Sequence, residues 1–323
     1  MKLSALLLAV LLPGLSACAA VTAPPGPGPA TPMLADNAFT ARDGMALPLR
    51  HWGPLDHPRA IIVALHGMSD YANGFAMPGE AWAKEGILTL AYDQRGFGAA
   101  PNPGLWGGAD TMRDDLRDAV AAAHARWPGV PVFALGESMG GAVVLTAMEQ
   151  PLDVKGAILV APAVWSRADM PLIYRVALFL AAHFMPGLVL SNSAASHVVT
   201  IYPSDNFDML RAMARDPLVQ HKTRADAVFG LTNLMDEART APARLGATPP
   251  IFFVYGAHDQ VIPAPPTQGV IAALGGRAEV HRYDNGYHML LRDLDRALPQ
   301  QDIAHWVMRS DGPAGQAQPG RQR

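Results

Sequence analysis

Six short apolar runs punctuate the chain: "AIIVALHG" (60–67), "ILTLAYD" (87–93), "PVFALGES" (131–138), "GAILVAPA" (156–163), "PIFFVYGAHD" (250–259) and "AEVHRYDN" (278–285). They are bounded by Gly, Pro or Asp and, as a set, lack the regular alternation of a half-exposed strand. Such runs suit strands covered on both faces, as in a parallel sheet. Helical patterns separate them at 111–127, 139–150, 264–274 and 293–308. The first opens on Thr and acidic residues and stops before Pro128, as helix boundaries do. Strands alternating with helices specify a doubly wound, mostly parallel α/β sheet. A hairpin with an Asp43-Gly44 turn is expected ahead of it.

One segment breaks the alternation. Residues 165–243 contain helical stretches at 172–185 and 205–216 but no clear strand run, which marks an inserted helical cap. The core then comprises 36–164 and 244–309. The 323 residues are half apolar, enough for a sizeable core, and the net charge of −3 offers no basic surface for nucleic acid.

The N-terminus "MKLSALLLAVLLPGLSACAA" has one Lys, an apolar run and then small residues, which is the layout of a secretory signal too short to span a bilayer. "LSAC" at 15–18 resembles a bacterial lipobox, with 1–17 as signal peptide and Cys18 as the lipidated residue. "ACA" at 17–19 offers ordinary cleavage as the alternative. Cys18 is the chain's single cysteine, so no intramolecular disulfide can form. Residues 18–35, rich in Pro and Gly, read as an extended tether, and 310–323 as a disordered tail. These features place the protein in the cell envelope, anchored on the periplasmic side of a bacterial membrane, or alternatively soluble in the periplasm or secreted.

A sheet of this kind carries its reactive groups at the C-terminal ends of its strands. Gly136-Glu137-Ser138-Met139-Gly140 falls at such an end and fits G-x-S-x-G, a tight strand-to-helix turn that exposes a serine hydroxyl. Serine needs a base to take its proton and a carboxylate to orient that base. Asp259 in "YGAHDQVIP" and His288 in "DNGYHML" lie at later strand ends, in the order serine, acid, histidine. Asp284 and Asp169 are the weaker candidates for the acid. His281, His305 and His258 read as structural, and His66 as the residue that orders its own loop. Backbone N–H groups of Met139 and of Met68 in "HGMSD" are the expected oxyanion donors. No H-E-x-x-H motif or Cys/His cluster suggests a metal, and the chemistry requires no cofactor.

With "HGMSD", "YDQRGFG", "GESMGG", "GAHDQVIP" and "GYHML" in this order, the chain resembles the serine α/β-hydrolases of the monoacylglycerol lipase and lysophospholipase-like group, which includes serine aminopeptidase S33-type proteins. The likeness spans about 36–309. It implies the α/β-hydrolase fold, with Ser138, Asp259 and His288 as the triad and Met68 and Met139 as oxyanion donors. The chain departs from the group in having Ser69-Asp70-Tyr71 after Met68, and "DQRGFGAAP" in a loop that often carries a further His and Ser. The expected activity is hydrolysis of acylglycerol or lysophospholipid esters through an acyl-enzyme. A peptidase or amidase on the same triad and a non-catalytic tethered binding protein are the alternatives. The apolar, Met-rich cap is expected to line an acyl pocket and to touch the membrane that holds the anchor.

Overall fold

A computed structural model describes residues 21–191 and 201–309. The signal peptide, Cys18 and the 310–323 tail lie outside the described residues. All six apolar runs form strands. In chain order the strands of the main sheet are β1 (Met33–Leu34), β2 (Ala38–Thr40), β3 (Ala46–Trp52), β4 (Ala60–Leu65), β5 (Ile87–Tyr92), β6 (Val132–Glu137) and β7 (Gly156–Val160). After a separate antiparallel pair in the cap, β8 (Val189–Ser191) and β9 (Lys222–Arg224), the sheet resumes with β10 (Ile251–Gly256) and β11 (Ala278–Tyr283).

The spatial order is β1-β2-β3-β5-β4-β6-β7-β10-β11, parallel from β5 to β11 and antiparallel at β3. This is the mostly parallel α/β sheet the alternation predicts. Every residue of β4, β5, β6 and β7 is buried, and the pleat divides them between two cores. Ile61, Val63 and Leu65 face a layer containing α2 (Ala109–Arg126) and α3 (Met139–Ala147). Ala60, Ile62 and Ala64 face the other layer, with Trp82 of α1 (Ala76–Ala83) and Trp306 of α8 (Ala297–Arg309). The run at 278–285 departs from the expectation of strands buried on both faces: it forms the edge strand β11, only partly buried at five of its six positions.

Between β7 and β10 the cap contributes α4 (Leu172–Phe184), α5 (Phe207–Met213) and α6 (Ala225–Thr240). The sequence pattern missed its β8–β9 pair because three-residue strands carry no readable period. Helix α6 packs on α3, and α7 (Ala264–Leu274) follows β10.

The Pro/Gly-rich stretch differs from the tether expected at 18–35. Its described part lies along the body: Ala23 N–H donates to Trp106 O at 2.7 Å, Gly26 N–H to Asp43 Oδ2 at 2.7 Å and Gly28 N–H to Asp43 O at 2.9 Å. Met33–Leu34 already belongs to the sheet. Proline removes donors, but the glycines and alanines between the prolines retain theirs, and the carboxylate and backbone of Asp43 satisfy two of them.

Candidate active site

Strand β6 ends in a turn that only small residues can make. A Cβ on Gly136 would lie 2.2 Å from Gly140 O, and one on Gly140 would lie 2.2 Å from Leu65 O. Between them Ser138 adopts φ 53°, ψ −114°, left-handed backbone that a residue with a Cβ rarely enters. Helix α3 starts at Met139, whose N–H, as the first of a helix, has no intrahelical acceptor. The loop after β4 closes over the same point: a Cβ on Gly67 would sit 3.2 Å from Ser138 Cβ, and Ser69 turns the loop at φ 69°. Met68 and Met139 therefore flank Ser138 from the two segments that the sequence nominated.

Asp259, in the turn after β10, is fixed by three donors. Its Oδ1 accepts from Val261 N–H at 2.8 Å and Ile262 N–H at 2.9 Å, and its Oδ2 accepts from His288 Nδ1–H at 2.9 Å. With Nδ1 as donor, Nε2 is the proton-accepting atom of the neutral ring. Both side chains are buried, while Ser138 and His288 border one cavity. Burial pulls the His288 imidazole down, but Asp259, reinforced by Glu137, outweighs it and the net shift is upward.

The other candidates are engaged elsewhere. Asp284 is exposed beside Arg282, and Asp169 accepts from Ser166 and faces Arg239. His66 accepts from Gln94 N–H through Nε2 and donates Nδ1–H to Gly67 O, so it orders the oxyanion-side loop; burial pushes its pKa down. His281 sits between Asp302 and Glu279, which raise it to about 9. His258 packs beside Tyr287, and His305 is exposed on α8. No group of three His, Cys, Asp or Glu among the described residues is arranged to hold a metal ion.

One cluster escaped the sequence reading. Arg292, four residues after His288, is buried and reaches Asp70 at 2.6 Å and Glu137 at 3.2 Å. Asp70 belongs to the loop of Met68, and Glu137 precedes Ser138, so one guanidinium joins the three segments of the site. Burial raises Glu137 against the pull of Arg292. The available signal was three charged residues beside three motif positions, which spacing alone does not connect.

The cavity measures about 1030 Å³ and is walled mainly by apolar side chains from the cap, among them Tyr174, Leu178, Met185, Leu231 and Met235. A serine on a strained elbow, an oriented imidazole and a large apolar cavity at the C-terminal edge of a parallel sheet define an α/β-hydrolase. Residues 56–295 match the family model described as serine aminopeptidase, S33, and the chain belongs to that family. It is 26% identical over 282 residues to the human monoglyceride lipase, covering 86% of this chain and 91% of that protein. It is likewise 26% identical over 285 residues to a monoacylglycerol lipase of Mycolicibacterium smegmatis, covering 84% and 96%. Among solved structures, the monoacylglycerol lipase of Paleococcus ferrophilus superposes with a TM-score of 0.68 at 20% identity, over 82% of this chain and 100% of that one.

Proposed function

We propose that the protein is a serine ester hydrolase acting on acylglycerol or lysophospholipid acyl esters. The observation that carries this reading is that His288, held by Asp259, borders the same apolar cavity as Ser138. Ser138 Oγ attacks the ester carbonyl as His288 Nε2 takes its proton, and Asp259 stabilises the imidazolium. The oxyanion lies against the N–H groups of Met68 and Met139, each worth roughly 10²–10³ in turnover. His288 then protonates the leaving alcohol, and water releases the acyl group by the same steps. The acyl chain occupies the cap-lined cavity, whose volume is at the upper end of the roughly 300–1,000 Å³ usual for ligand pockets. The relatives named as monoacylglycerol lipases support the substrate class.

The family's description as an aminopeptidase favours a second reading, cleavage of amides. Two observations oppose it. Asp70 and Glu137, the carboxylates bordering the cavity, are both engaged by Arg292. In the cap, Asp216 accepts from Tyr71 Oη–H, Asp205 from Leu294 N–H, and Asp208 faces Arg211. Each of these carboxylates therefore already has at least one partner within the protein.

A fluorophosphonate probe and a panel of acylglycerols, lysophospholipids, short esters and aminoacyl amides test both readings. Wild type is expected to label at Ser138 and to prefer acyl esters, with Ser138→Ala losing at least about 10⁴-fold in kcat. Failure to label, or amides outpacing every ester, overturns the proposal.

We further propose that Cys18 is acylated, holding the enzyme on the periplasmic side of the envelope, and that the cap meets the membrane through its exposed apolar side chains. Helix α4 supports this, because its Leu172, Ile173, Phe179 and Phe184 are at least half exposed. None of the described helices is long and apolar enough to cross a membrane.

A further inference from the structure

His288 stands between β11 and α8, on a stretch of chain with no strand or helix of its own. Asp259 orients its ring, but the backbone that carries the ring has to be held as well. The two peptide N–H groups that flank His288 both have partners, and both lead to the cap. Met289 N–H donates to Pro203 O at 2.8 Å. Tyr287 N–H donates to Asp293 Oδ2 at 2.7 Å, and the other oxygen of that carboxylate accepts from Ser204 Oγ–H at 2.6 Å. Ser204 and Asp293 are buried, where such bonds are strong.

Pro203 and Ser204 belong to the cap segment 202–206, which precedes α5 and clasps this loop through further groups. Asn206 N–H donates to Ser204 Oγ at 3.1 Å, which leaves the hydroxyl hydrogen for Asp293. Asn206 Nδ2–H donates to Arg292 O at 2.9 Å, and its Oδ1 caps α5 by accepting from Met209 N–H at 3.2 Å. Asp205 Oδ1 accepts from Leu294 N–H at 2.8 Å. Tyr202 N–H donates at 3.1 Å to the side chain of Gln260, the residue after Asp259. A pocket wall needs apolar packing alone, whereas hydrogen bonds fix distance and direction. Pro203 and Met289 also border the cavity, so an acyl chain seated there touches the clasp.

We propose that Ser204 and Asp293 are positioning residues for the base: through this pair the cap sets where His288 stands relative to Ser138, and so governs turnover as well as acyl binding. The inference rests on the assignment of His288 as base to Ser138 made above. Proton transfer requires the two within hydrogen-bond reach, and a displacement of about 1 Å at a reacting group can cost on the order of 10²-fold in rate. Asp293 holds the peptide before His288, Pro203 holds the one after it, and Ser204 fixes the Asp293 carboxylate between cap and loop.

The test is run at pH 8, where Asp293, lifted to about 6 by burial, is a carboxylate. Ser204→Ala is expected to lower kcat about tenfold on a short and a long-chain ester alike, with KM little changed, and Asp293→Ala to lower it about a hundredfold. Asp293→Asn keeps an acceptor for Tyr287 N–H and can donate to Ser204 Oγ, so it is expected to recover most of that loss. The low-field proton resonance of His288 Nδ1–H, identified by its disappearance in His288→Ala, should move in Ser204→Ala and Asp293→Ala. It should stay in Tyr71→Phe, which removes a different contact between cap and core, the bond to Asp216. Wild-type kcat with an unmoved resonance in Ser204→Ala overturns the proposal, whether or not Asp293→Ala folds. So does a rise in KM for the long-chain ester alone, the mark of a damaged pocket, or a resonance shifted as far by Tyr71→Phe, the mark of a cap loosened as a whole. Full activity in His288→Ala overturns the base assignment and this proposal together, while an inactive His288→Ala beside an unaffected Ser204→Ala overturns this proposal alone.

Discussion

Two opposing fields act on the His288 ring. Burial favours the neutral imidazole, while Asp259 and Glu137 favour the cation and prevail; Arg292 opposes them. The base works when neutral, so kcat/KM is expected to rise with pH through a limb above the ordinary histidine value of about 6.5. The sign for stability is opposite. A histidine whose pKa is raised by folding stabilises the fold fully below its unfolded value, and that contribution is lost as pH rises through the folded value. Melting temperature should therefore decline across the interval in which activity grows. Glu137→Gln removes a charge that raises His288, and a pH–rate profile should show the limb displaced to lower pH; a displacement upward would contradict the field described here. The triad was legible in the sequence because each member stands at a strand end with its own local signature: Gly on both sides of Ser138, a Gly-Ala-His-Asp turn at Asp259, and a Gly-containing turn at His288. Glu137 was read only as the x of a motif, since nothing local shows that its carboxylate points back beneath the site.

At the level of elements, Arg292 does what no backbone hydrogen bond does here: it ties the loop after β4, the end of β6 and the loop after β11 through side chains alone. Arg292→Met leaves Asp70 and Glu137 buried without a counter-charge, and breaking a buried pair in this way typically costs about 3–5 kcal/mol. Urea unfolding should show that loss. Arg292→Lys keeps the charge but not the guanidinium whose Nη2 meets both carboxylates, so its midpoint should fall between the two. The elements themselves were read from periodicity with boundaries shifted by a few residues. Helix α1 escaped because "AMPGEAWA" contains both a proline and a glycine, poor interior residues, and is held by Trp82 in the core rather than by propensity.

For the whole molecule, specificity should reside in the cap. Leu231 of α6 lines the cavity far from the Asp259–His288 pair in sequence. Leu231→Trp should lower turnover of long-chain esters by roughly tenfold while sparing short ones, the discrimination expected when pocket volume is removed. A matched chain-length series measures it. The class of fold was legible from the alternation of runs and helices, but not the sheet order, in which β5 lies outside β4. The Pro/Gly-rich stretch ahead of β1 was read as a free tether because its partner, Asp43, had been seen only as a turn residue; composition reports what a segment lacks, not what another segment supplies. Ser138 carries a consequence for the history of such a chain. Its positive φ is a conformation that costs a residue with a Cβ on the order of 1–3 kcal/mol, and glycine would occupy it without strain. Ser138→Gly should melt at a higher temperature than the wild type while hydrolysing nothing. Retention of the serine is then opposed by the protein's own thermodynamics at every generation, and a lineage released from selection for turnover would drift toward the sturdier, silent form.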